Sequence, residues 1–94
     1  MTAKYRINDT FIITGRGLVL AGTIEEGVVV TGDYIEFNAF DQKRKRRITG
    51  VSSMRKADDT KMNVGLIIKC ENEDEILELR RWRPENELGI IIKE

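Results

Sequence analysis

Apolar and polar residues alternate in short runs along this chain, and glycines separate the runs. Phe11, Ile12 and Ile13 form the first β-branched cluster, and residues 18–24 form the second. Val28, Val29 and Val30 read as a further strand leading to Gly32 and Asp33, after which Tyr34, Ile35 and Phe37 resume the alternation. Residues 48–54, 64–68 and 88–92 complete the set. Short β-branched runs bounded by turn residues about every ten positions predict a barrel or sandwich rather than βαβ units. Gly32 and Asp33 suit a hairpin turn, Gly22 and Gly27 suit bulges where a small barrel must bend, and Pro84 suits the turn before the last strand. Residues 74–81 fit either a helical turn, with Ile76, Leu77 and Leu79 among good helix formers, or a strand. Both readings stay open.

The order of the glycines is more specific than their number. Phe11-x-Ile13-x-Gly15-Arg16-Gly17-x-Val19-x-x-Gly22-x-Ile24-x-x-Gly27-x-Val29-x-x-Gly32-Asp33-x-Ile35 resembles the opening of the β-barrel second domain of translational GTPases such as elongation factor Tu. The resemblance continues through residues 48–51 and 54–56 and strengthens at Asn63-Val64-Gly65-Leu66-Ile67-Ile68. It implies an all-β fold: a small closed antiparallel barrel, here as one stand-alone domain over residues 1–94. In that family the barrel accompanies a GTP-binding domain and helps hold the aminoacyl end of transfer RNA. The corresponding positions here are residues 51–56 and 63–66. Arg55, Asn63, Val64 and Leu66 match, whereas Ser52 stands where the family usually has a glutamate, and Ser53 and Met54 replace a bulkier pair. The resemblance thus makes Arg55 and Asn63 candidate partner-binding residues.

Charge changes the picture locally rather than globally. Lysine plus arginine equals aspartate plus glutamate at 16 each, so no net field draws this chain to a polyanion. The sharpest local feature is Lys43-Arg44-Lys45-Arg46-Arg47, expected to project from a hairpin loop between two strands. It reads either as a phosphate-contacting patch or as a solvated loop that guards a strand edge. Glu71, Glu73, Asp74, Glu75 and Glu78 form an acidic run without calcium-loop spacing. That run reads as a solvated surface or as a complement to the basic run in self-association. Arg80-Arg81-Trp82-Arg83 departs from the family pattern, and residues 77–86 read as an insertion. Trp82 either stacks on a base or fills an interface, or else plugs a barrel end while its arginines reach to water.

The residue types that are missing narrow the chemistry. Without histidine there is no imidazole base, triad partner or ligand. Cys70 is the single cysteine, which fits a reducing, cytoplasmic compartment. Residues 17–23 read Gly-Leu-Val-Leu-Ala-Gly-Thr, lacking the lysine of a phosphate loop. No apolar run approaches the roughly 20 residues of a membrane helix, and the N-terminus lacks a signal-peptide pattern. The expectation is a non-enzymatic binding module with no catalytic, cofactor or metal residues. Its expected partner is RNA (transfer or ribosomal) or a translation-associated protein; the alternative is a protein-interaction or regulatory module with no RNA role. The candidate contacts are Lys43, Arg44, Lys45, Arg46, Arg47, Arg55, Asn63 and Trp82.

Overall fold

The computed structural model describes residues 3–13, 15, 17–54 and 63–93, with the backbone alone for Ser53, Met54 and Asn63. Six strands and one helix follow in the order β1 (Ala3–Ile13), β2 (Gly17–Glu26), β3 (Tyr34–Ala39), β4 (Gln42–Met54), β5 (Asn63–Ile68), α1 (Glu73–Arg81) and β6 (Glu87–Ile92). The strands close into a barrel in the order β1-β2-β5-β4-β3-β6, with every neighbouring pair antiparallel. Closure removes the exposed edges that an open sheet of this length would present. The all-β closed antiparallel barrel expected from the alternation is therefore present.

Strand alternation sorts the side chains. Tyr5 and Ile7 of β1, Leu18 and Leu20 of β2, Ile35 and Phe37 of β3, Ile48 of β4, Leu66 and Ile68 of β5 and Ile91 of β6 meet in one core. The Tyr5 hydroxyl is buried there, against the carbonyls of Leu20 and Val64. Burial raises its ionisation well above the ordinary range, so it remains a neutral donor. Val64 and Leu66 belong to this core, as strand-interior residues should.

Three local expectations need correction. First, Val28, Val29 and Val30 form no strand, and Gly32-Asp33 is not a hairpin turn. β2 and β3 are not neighbours in the barrel, so this segment is a crossover. The Asp33 carboxylate accepts from the Val30 amide at 3.0 Å, and Asp33 N–H donates to the Val30 carbonyl at 3.1 Å. Those bonds occupy the groups a strand partner would need. Lys93 pairs with Asp33 at 2.6 Å. Burial works against the Asp33 charge, but Lys93 and the Val30 amide outweigh it and hold the carboxyl below its usual range.

Second, the basic run does not lie in a loop. The chain reverses earlier, at Phe40 and Asp41, both with positive φ (52° and 60°), and residues 43–47 are the opening of β4. Third, the segment left open between helix and strand is helix α1. Asn72 caps it, its side-chain oxygen accepting from the Glu75 amide at 2.9 Å. Acidic residues fill the first turn, and Arg80 and Arg81 the last, as the helix dipole favours. Leu79 is fully buried, and its carbonyl accepts from the Thr10 hydroxyl of β1 at 3.0 Å. Trp82, just past the helix, stacks on Phe37 of β3 with ring centroids 5.5 Å apart. With anchors on β1 and β3, α1 lies over one mouth of the barrel.

Candidate functional site

The antiparallel pairing of β3 with β4 splits the basic run by parity. Arg44 and Arg46 share the inward face with their cross-strand partners Phe37 and Ile35, whereas Lys43, Lys45 and Arg47 face outward. The two faces have different fates.

The inward arginines are consumed by the helix. Arg44 donates to Glu75 at 3.1 Å and pairs with Glu78 at 2.6 Å. Arg46 donates through Nε to Glu75 at 2.8 Å, with a second contact from its terminal nitrogen to the same carboxylate. Glu75 also accepts from the Glu71 amide at 2.9 Å. The Arg44 and Glu75 side chains are 7% and 8% exposed, so this is a buried ion-pair network rather than a solvated one. The Arg46 hydrogen bond is the main cause that lowers the Glu75 carboxyl to about 2, against the opposing effect of burial. Within the acidic run Glu75 is thus a buried complement to the basic run inside one chain, whereas Glu71, Glu73, Asp74 and Glu78 stay exposed, in keeping with a solvated surface.

The outward side chains make a different surface. The Lys45 ammonium sits 5.1 Å from the centre of the Tyr34 ring, and Lys43 lies 3.3 Å from Glu36. Tyr34 and Arg47 are direct cross-strand neighbours. The result is a strip of β3 and β4 carrying one aromatic ring, three cations and one carboxylate. Cations spaced along a sheet beside an aromatic ring suit a single-stranded polyanion, with phosphates on the charges and a base on the ring.

The other candidates separate from this strip. Arg55 lies outside the described residues, and Asn63 is described only as the backbone start of β5, paired with Met54. The β4–β5 ladder does bring the two matching segments together, with Ser52 opposite Gly65 and Ser53 opposite Val64. Trp82 is half-buried against the core, its ring stacked on Phe37, which is the barrel-plugging arrangement. Beside it lies a groove of about 720 Å³ whose walls include Asn8, Asp9, Arg80, Arg81, Trp82 and Arg83. The sequence places these arginines next to one another but not beside Asn8 and Asp9. That juxtaposition depends on α1 and the connection to β6 meeting β1.

Burial, then the Glu75 carboxylate, pushes the Cys70 thiol up to about 12, so it stays protonated at neutral pH. Among the described residues no cluster of three or more acidic, cysteine or histidine ligands could hold a metal ion. No helix among them is long and apolar enough to cross a membrane. No known protein-family model matches the chain.

Proposed function

We propose that this barrel is a non-catalytic binding module that contacts RNA through the outward strip of β3 and β4. The carrying observation is the split of the basic run. Arg44 and Arg46 are neutralised by Glu75 and Glu78, while Lys43, Lys45 and Arg47 face outward beside Tyr34. The first pair serves the fold from within, whereas the outward three keep their charges on an exposed face. The glycine string shared with the second domain of elongation factor Tu favours a translation setting, a cytoplasmic location and transfer or ribosomal RNA as the species. The cross-strand pairing of residues 52–54 with 63–65 supports carrying over the family's aminoacyl-end region, with Ser52 in place of the glutamate.

Labelled transfer RNA at low salt tests this reading through fluorescence anisotropy. Wild type should bind, and a variant carrying K43E, K45E and R47E should lose binding by tenfold or more while melting like wild type. Equal binding by the variant, or none by wild type, overturns it. One observation favours a second reading, a protein-interaction module. Phe11, Ile12 and Ile13 are each about 40% exposed in one continuous stretch of β1, and exposed apolar clusters mark protein contacts. Binding to a translation-associated protein that ignores salt and the triple variant would support it.

A further inference from the structure

We infer that the groove between the α1–β6 connection and β1 is a second phosphate-binding site, built from Arg80, Arg81 and Arg83 beside Trp82. The inference deepens the RNA reading and rests partly on it, although the groove's own chemistry extends to any phosphate anion.

Three arginines, Arg80, Arg81 and Arg83, line one groove of about 720 Å³, and all three are exposed. None of them has a hydrogen bond, ion pair or ring partner among the described residues. The other arginines among the described residues are engaged. Arg44 and Arg46 are held by α1, and Arg6 pairs with Glu25 at 3.6 Å and donates to the Asn86 carbonyl at 2.9 Å. The helix dipole gives Arg80 and Arg81 a structural reason to sit in the last turn. It gives none to Arg83, which lies beyond the helix yet lines the same groove.

Carboxylates are at hand, but none pairs with these arginines among the described residues. Asp9 and Glu85 share the groove with the arginines. The Asp9 carboxylate instead accepts from the Thr10 amide at 2.8 Å. A guanidinium presents a planar fork of donors matched to phosphate oxygens, and three such residues around one groove favour a multiply charged anion over a single carboxylate. The Trp82 ring is fixed from within by its stack on Phe37, so the groove wall is already ordered before any ligand arrives. Pre-ordering lowers the entropic cost of binding. The phosphate has two possible sources, the backbone of an RNA strand or a free phosphorylated molecule.

Trp82 is the only tryptophan, so its emission reports on the groove directly. Wild type would be titrated with pyrophosphate and, separately, with a single-stranded RNA oligonucleotide lacking terminal phosphates. The expected result is a saturable, salt-sensitive change in emission with at least one of them. An R80Q/R81Q/R83Q variant, which keeps Trp82, should bind tenfold more weakly or worse with unchanged melting. A response to RNA alone assigns the site to the backbone, and one to pyrophosphate alone assigns it to a free phosphorylated ligand and separates the groove from the RNA reading of the β3–β4 strip. Unchanged emission with both ligands, or equal affinity in the glutamine variant, overturns the groove. In that case RNA binding that still depends on Lys43, Lys45 and Arg47 leaves the reading of the β3–β4 strip intact.

Discussion

Two glycines show how differently the same residue type is used. A Cβ built on Gly22 would lie 1.8 Å from the Arg6 carbonyl oxygen, with Ile7 Cα at 3.2 Å. Backbone cannot move aside cheaply, and the neighbouring ladder already shifts register between Ile7 and Asp9. Gly15, in the β1–β2 turn, has nothing within 4 Å but a φ of +82°. Gly22→Ala should therefore destabilise the barrel by about 3 kcal/mol or more, in the range of strong core disruption. Gly15→Ala should cost only about 1 kcal/mol, the ordinary penalty for a left-handed L-residue. Urea denaturation of the two variants checks the order. A Gly22→Ala protein as stable as Gly15→Ala would mean that β1 and β2 pack less tightly than described.

At the scale of elements, α1 and β4 are joined by charge. Glu75 titrates near 4.5 when unstructured and at about 2 in the fold. Its contribution to stability is thus complete above about pH 4.5 and disappears as pH falls towards 2, because the unfolded chain takes up the proton first. Thermal melts from pH 6 to about 2.5 should fall more steeply for wild type than for Glu75→Gln, whose amide does not titrate. Parallel curves would show that the Arg44–Glu75–Arg46 network does not couple helix to barrel. Asp33, also held low, loses stability in the same direction and is common to both proteins, so the difference between curves isolates Glu75.

The same two elements show what the sequence revealed and what it hid. Residues 18–24 and 64–68 were readable as strands because each is a short, nearly continuous apolar run, and the fold buries most of both segments on both faces. Residues 43–47 were misplaced because five cations in a row conceal alternation, and because the turn before them is Phe40-Asp41. Neither residue advertises positive φ as Asn-Gly would. The helix carries a legible local signal: Asn72 with Glu75 three residues on, an acidic first turn and a basic last one. The pairing of Glu75 with Arg44 and Arg46, 31 and 29 residues away, has no local signature. The crossover at residues 27–33 failed for a topological reason, since three valines make a strand only where a partner strand is adjacent.

For the molecule as a whole, 16 positive residues balance 16 negative ones, and no long-range field assists encounter with a polyanion. On the proposed reading, affinity for RNA comes from the local strip of Lys43, Lys45 and Arg47, with the Arg80–Arg83 groove adding to it. This dependence has a quantitative signature. Each phosphate contact contributes about 0.7 to 0.9 to the slope of log affinity against log salt. The decisive measurement is that slope for transfer RNA, taken from about 50 to 200 mM salt with wild type and with the K43E/K45E/R47E variant. The account predicts a wild-type slope of about −2 or steeper and a variant slope shallower by about 2. A wild-type affinity that does not change with salt, or equal slopes for the two proteins, would contradict it.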